Sequence, residues 1–317
     1  DLASAQAQIV DVADVLVVCR SGYESALGAL IAQFRRRGKP VLFDVDDLVF
    51  DTRHVQLIVN VLGLDKADPR VWDDWFGMIG RMGATLQACD GAITTNAFLA
   101  ERIRDFCDKP VHVVPNFMNA EQLSMSDALW ADKQRHAFAT DGHPTVAYFS
   151  GSPSHRFDFA IVEPTLQALL DSRPQLQVLT VGYLEPGPAW ARYGRRLVRA
   201  PFTDWVNLQR LVSTVEVNLM PLQATVFADC KSPLKFFESA AVGTLSVASP
   251  TANHVDCIED GVNGHLSRGH EWQRKIEQLI DAMDQYPAMA VLARRQAIER
   301  FAWTGQRPIL ERALGWS

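Results

Sequence analysis

Continuous apolar runs alternate along this chain with stretches of helical periodicity, and the alternation predicts β-α-β units. Val12 to Arg20 reads as a strand, followed by a Ser-Gly turn and a helical pattern from Glu24 to Arg37. Gly38-Lys39-Pro40 stops that helix, and Val41 to Asp47 reads as the next strand. A helix is expected over Val71 to Ala88, with Trp72, Trp75, Phe76, Ile79 and Met82 on its apolar side. Ala92 to Thr95 then reads as a strand, Ala97 to Phe106 as a helix and Val111 to Val114 as a strand. Strands joined by helices imply a parallel sheet with right-handed crossovers. Four strands are few for such a domain, so an N-terminal portion is expected to be missing.

The rhythm lapses over Asn119 to Gly142, a polar and alanine-rich stretch read as the link between domains. It resumes with a strand at Thr145 to Ser150, a helix at Asp158 to Ser172 and strands at Leu176 to Gly182 and Leu197 to Arg199. Helix Trp205 to Thr214 and strands Val215 to Leu222 and Thr244 to Ser249 follow. A short helix near Ala252 to Glu259 leads to the turn-rich Asp260 to His265, read as hairpin-like, and amphipathic helices finish the chain. The expected divisions are a first Rossmann-like domain at 1–121, a second at 122–300 and a C-terminal helix at 301–317.

Between the strands at Val215 to Leu222 and Thr244 to Ser249 lies the most informative stretch, Phe227 to Gly243. Ser232 is a good N-cap and Pro233 a good first helical residue, since proline has no N–H to lose there. Gly243 supplies a permissive stop. A helix that starts just after a strand presents free N–H groups and a positive dipole end, which suits a phosphate. Lys231 precedes this helix, Lys235 lies in its first turn and Glu238 one turn later, so phosphate charge and a sugar hydroxyl can both be met.

Two further places gather candidate chemistry. Asp44, Asp46 and Asp47 sit at the carboxyl end of a predicted parallel strand, where ligands bind in open α/β sheets. They are read as orienting acceptor hydroxyls. Clustered carboxylates also suit Mg²⁺, or simply cap a helix, and those readings stay open. Gly151 follows its strand directly and lets the backbone approach a ligand closely. Ser152, His155 and Arg156 come next, and the positive charge of Arg156 at a helix start is mildly unfavourable unless an anion sits nearby.

Composition narrows the classes. The 317 residues are 48% hydrophobic and 21% charged, enough for two domains of ordinary size. A formal charge of −6 argues against nucleic acid as the main partner. The five cysteines are odd in number and without CxxC pairing, so they read as reduced thiols of a cytoplasmic protein. No apolar run reaches membrane-spanning length.

Taken in order, several segments resemble the retaining family 4 glycosyltransferases of the two-Rossmann (GT-B) type. Val113-Val-Pro-Asn116 is similar to that family's end-of-first-domain signature, and Ser150-Gly-Ser-Pro-Ser-His-Arg-Phe-Asp158 to the glycine loop of bacterial polysaccharide enzymes. Lys231 to Glu238, with Ala240, Ala241 and Gly243, resembles the E-x7-E helix. Glu259 to Gly264 resembles the late D/N-G-x-N-G turn, and Phe43 to Asp47 a first-domain segment of O-antigen-type members.

The resemblance implies an α/β fold of two Rossmann-like domains with parallel sheets facing across a cleft. It implies a nucleotide sugar held by the second domain and a glycan or lipid-linked acceptor held by the first, with peripheral membrane association through that acceptor. Glu238 matches the glutamate that holds the donor ribose, and the basic pair for the diphosphate falls on Arg156 and on Lys231 or Lys235. Gly151, Ser152, His155, Ser232, Pro233 and Leu234 complete the expected donor site. The first glutamate falls on Cys230, a weak hydrogen-bond partner, with Asp229 beside it as a substitute. The expected activity is sugar transfer in surface polysaccharide synthesis, with no cofactor and no metal. An epimerase on the same plan, or a non-catalytic donor-binding module, are the alternatives.

Overall fold

The computed structural model describes residues 8–138, 142–152 and 156–316. The chain divides into two compact units, and neither is a single stretch. One comprises the residues up to Pro115, Asp229–Ser232 and Gln306–Ser317; the other comprises Asn116–Ala228 and Pro233–Gly305.

The first unit is built on four parallel strands, β1 (Leu16–Cys19), β2 (Val41–Asp44), β3 (Gly91–Thr94) and β4 (Val111–Val113). Their order in the sheet is their order in the chain. Helix α1 (Ser25–Arg36) connects β1 to β2; α2 (Val55–Leu62) and α3 (Pro69–Ala88) lie between β2 and β3; α4 (Ala97–Phe106) precedes β4. The α3 helix starts as its sequence dictates, with Pro69 in the first turn and the Asp68 carboxylate accepting from the N–H of Arg70. At the other end of the chain, α13 (Trp303–Ala313) brings Ala313, with Ile309 and Leu310 beside it, onto Leu42, Ile93 and Val114 of this sheet.

The second unit holds a six-stranded parallel sheet. Its strands are β5 (Thr145–Ser150), β6 (Gln177–Gly182), β7 (Leu197–Ala200), β8 (Val217–Met220), β9 (Leu245–Ala248) and β10 (His265–Leu266). The order across the sheet is β10-β9-β8-β5-β6-β7. Val146 and Tyr148 of β5 enter one core, with Val178, Val217 and Val247; Ala147 and Phe149 enter the other, with Leu179, Val181 and Val212. Both faces are therefore covered, which is why these strands read as unbroken apolar runs.

Two expectations need correcting. The stretch from Asn119 is not an irregular link: residues Ala120–Arg135 form a sixteen-residue helix, α5, belonging to the second unit. The side chain of Asn119 caps it by accepting from the N–H of Gln122 at 2.8 Å. Its buried positions include Gln122, Ser126 and Lys133, so no apolar stripe announces it. The segment after Asp260 is not a hairpin either, because His265–Leu266 pairs in parallel with β9. The Asp260 carboxylate accepts from the N–H of Leu266 and from Lys275, and so fixes that turn. Among the described residues no helix is long and apolar enough to cross a membrane.

Lys133 anchors α5. Its Nζ donates to the carbonyl of Val215 at 2.5 Å and to Thr244 Oγ1 at 2.6 Å. Burial pushes its ammonium well below the usual lysine range, and the neighbouring Glu216 carboxylate opposes that shift. Removing one member of a buried charged pair strands the other. Lys133→Ala is therefore expected to cost roughly 3–5 kcal/mol, read as a lower urea midpoint by tryptophan fluorescence. An unchanged midpoint would show that Lys133 contributes no net stabilisation.

Candidate active site

Strand order reverses between β5 and β8, since β6 and β7 lie to one side of β5 and β8, β9 and β10 to the other. A crevice opens beyond the carboxyl ends of strands at such a point. Here it is a cavity of about 160 Å³. Phe149, Ser150 and Gly151 from the end of β5, and Val181 and Gly182 from the end of β6, form part of its wall. Phe202 and Thr203 follow β7, Leu208 and Val212 come from α7 (Trp205–Ser213), and Asn218 from β8. Leu234, Lys235 and Glu238 of α9 (Leu234–Ala241) complete it. The wall depends on glycine at one point: Gly182 has φ +92°, and a Cβ there would lie 1.9 Å from the carbonyl oxygen of Ser150. Gly151 differs, with open space where its Cβ would be.

Glu238 is held from two helices. Gln122 Nε2 of α5 donates to its Oε1 at 3.3 Å, and Gln209 Nε2 of α7 donates to its backbone carbonyl at 2.9 Å. Burial pushes the carboxyl up to about 7, against the opposing pull of the Gln122 bond and the Lys235 charge. Lys235 places its Nζ 5.3 Å from the centre of the Tyr148 ring. Gln122, Gln209, Asn218 and Phe202 are not evident from sequence reasoning. Only Gln122 carries a signal, as a glutamine three residues after the N-cap Asn119.

The predicted residues separate into two groups. Gly151, Leu234, Lys235 and Glu238 meet in the cavity. Asp229, Lys231, Ser232, Pro233, Ser152 and Arg156 do not line it. The helix begins two residues later than Ser232: Pro233 occupies the N-cap position and no side chain caps it. The reason is tertiary, because Asp229–Ser232 belong to the first unit. There Asn96 Nδ2 donates to the carbonyl of Cys230 at 2.7 Å, and Lys231 Nζ lies 3.9 Å from Asp47. Cys230 is fully buried, and burial pushes its thiol up to about 12. Asp229 closes the short helix α8 (Val226–Asp229).

Arg156 opens the helix Arg156–Ser172, exposed, with its guanidinium 4.5 Å above the Phe157 ring. Ser152 accepts at its carbonyl from Ser150 Oγ. His155 lies outside the described residues. In the first unit, Arg20 Nη1 donates to Asp46 at 2.8 Å and to Asp47 at 3.4 Å. Asp44 ends β2 half-buried, and burial pushes its carboxyl up, with a bond from the Cys19 thiol opposing. Among the described residues no three His, Cys, Asp or Glu side chains are grouped to hold a metal ion.

In sequence, residues 148–285 match the family described as Glycosyl transferases group 1. The chain carries a glycosyltransferase domain. The match runs from the end of β5 through β10 and includes the helix that bears Lys235 and Glu238. No curated protein matches the chain in sequence. Among solved structures, HepE of Anabaena in complex with UDP and glucose is similar at 14% identity and a TM-score of 0.62, over 99% of this chain and 82% of that one. Sucrose-phosphate synthase from Thermosynechococcus elongatus is similar at 16% identity and a TM-score of 0.62, over 100% and 78%. The pneumococcal O-GlcNAc transferase GtfA, in complex with UDP and GlcNAc, is similar at 13% identity and a TM-score of 0.60, over 98% and 58%. The likeness is one of fold, and it makes the two parallel α/β units those of the GT-B architecture.

The Glu238 carboxyl titrates near 4.5 in an unfolded chain and near 7 here, so folding favours its protonated form. That advantage is full below the unfolded value and is lost as pH rises through the folded one. Glu238→Gln, uncharged throughout, is expected to gain thermal midpoint over the parent between about pH 5 and about pH 8. A difference that stays constant across this range would show that Glu238 titrates normally.

Proposed function

We propose that this glycosyltransferase is a retaining enzyme that takes a sugar from a nucleotide diphosphate and passes it to a glycan or lipid-linked acceptor. Its place would be in surface polysaccharide synthesis. The observation that carries the reading is the cavity at the switch point, where Lys235, Glu238 and the amino end of α9 converge. The first N–H groups of a helix have no partner within it, so they and the Lys235 ammonium supply positive charge for a diphosphate. Glu238 would hold hydroxyls of the donor.

In the reaction the bond from the sugar's anomeric carbon to the diphosphate oxygen breaks, and its electron pair leaves with the diphosphate. Lys235 and the helix N–H groups stabilise the charge that develops there, and we assign this task to them and not to a metal. The acceptor hydroxyl attacks from the face the diphosphate vacates, and its proton passes to a departing phosphate oxygen. Retention by this route needs no protein nucleophile. Arg156, exposed at the start of its helix, is assigned a supporting contact with the diphosphate. Asp44, Asp46 and Asp47 are assigned to the acceptor. Two of the similar structures are complexes with UDP, which makes a UDP-sugar the first donor to test.

One observation favours a second reading. A buried thiol, Cys230, stands where the family resemblance calls for a glutamate, which suits a domain that binds a donor without transferring its sugar. Nucleotide binding with no turnover on any acceptor would select that reading.

Lys235→Ala is expected to lower kcat/KM for donor hydrolysis or transfer by roughly a hundredfold, in the range of a lost charge-stabilising donor. Glu238→Ala is expected to act mainly by raising KM for the donor. Unchanged turnover in both variants would remove the site assignment.

A further inference from the structure

Asn218 lies on β8 with 1% of its surface exposed, and it forms part of the cavity wall. Its Nδ2 faces the carbonyl of Lys235 at 3.2 Å, Ser239 Oγ at 3.2 Å and Ser246 Oγ at 3.3 Å. A backbone carbonyl only accepts hydrogen bonds, so the amide atom beside Lys235 must be nitrogen, and the amide cannot be reversed. The other amide atom, Oδ1, is buried and has no protein partner. Buried acceptors are almost always bonded, and an orphan on a residue that helps to form a cavity wall points to a group that arrives from outside.

The neighbours restrict what that group is. Phe149, Val181, Leu208 and Val212 line the same space with apolar surface. A phosphate or carboxylate oxygen brought to Asn218 would meet an acceptor with an acceptor, and the Glu238 carboxyl shares the cavity. A ligand ammonium would meet Lys235. A neutral donor suits Asn218 and Glu238, and an aliphatic hydroxyl is the group of this kind that also accepts from Lys235.

We propose that Asn218 Oδ1 accepts a hydrogen bond from a hydroxyl of the bound donor, on the ribose or on the sugar to be transferred. This makes Asn218 a binding residue of the site, and it rests on reading the cavity as the nucleotide-sugar site. The same amide ties the first turn of α9 to β8 through the Lys235 carbonyl, so one side chain joins the ligand hydroxyl to the helix that carries Lys235 and Glu238.

Calorimetry tests it. The wild type is titrated with UDP, 2′-deoxy-UDP, 3′-deoxy-UDP and UDP-glucose, and so are Asn218→Leu and the less crowded Asn218→Ala. If the hydroxyl is on the ribose, one deoxy form binds the wild type about three- to tenfold more weakly than UDP, and that difference vanishes in both variants. If it is on the sugar, the variants weaken UDP-glucose by about that factor and leave UDP unchanged. Ser246→Ala, which touches only the Nδ2 side, is expected to keep the wild-type pattern. The proposal is overturned if each hydroxyl counts equally in wild type and in the Asn218 variants, or if Ser246→Ala abolishes the same difference. Should the wild type bind none of UDP, GDP, ADP or dTDP, the reading of the cavity fails first and takes this assignment with it.

Discussion

Much of the second unit turns on the strands that flank β5. The strand pairs with β6 on one side and β8 on the other, both in parallel. Connections of one hand that leave in opposite directions must pass over opposite faces of the sheet. The packing agrees: Phe159 and Val162 of the helix after β5 enter one core, while Leu208 and Leu211 of α7 lie against the other. Helices on opposite faces leave the carboxyl ends of β5 and β8 uncovered between them. The cavity is thus a result of chain winding, and Gly182 and Gly151 only shape it.

What the site can do follows from how little of it is polar. Lys235, Glu238 and Asn218 share an otherwise largely apolar enclosure, where charges interact more strongly than in water. The same enclosure raises the Glu238 carboxyl towards neutrality. A carboxyl poised there can accept from hydroxyls when ionised and donate when protonated. In the first unit the acidic residues are held differently. Asp46 and Asp47 face Arg20, and Lys231 approaches Asp47, so their charge is offset locally at half-exposed positions.

Much of this was legible from residue patterns. Helix Ala97–Phe106 and strand Thr145–Ser150 fall where periodicity puts them, because the apolar positions of each coincide with its buried face. Helix α5 was not legible, since the side chains it buries include a lysine, a glutamine and a serine whose partners lie far along the chain. Nor was the loss of Ser232 as a cap, since it lies in a segment that belongs to the first unit, where Asn96 bonds to Cys230 across 134 positions. Lys235, Glu238, Leu234 and Gly151 were readable from helix and loop chemistry. Asn218 was hidden because a single polar residue in an apolar strand looks like noise until its neighbours are known.

The division of the chain also bears on the order in which the protein can be made. The first unit includes Asp229–Ser232 and Gln306–Ser317, so its parts are separated by nearly the whole of the second. Domains ordinarily complete themselves from the amino end as a chain emerges from the ribosome. Here that order is inverted. The sheet of Leu42, Ile93 and Val114 waits for Ala313 before its covering is finished, whereas the second unit has all its residues by Gly305. Loss of α13 would therefore be felt in strands far back along the sequence, at Leu42 and Ile93.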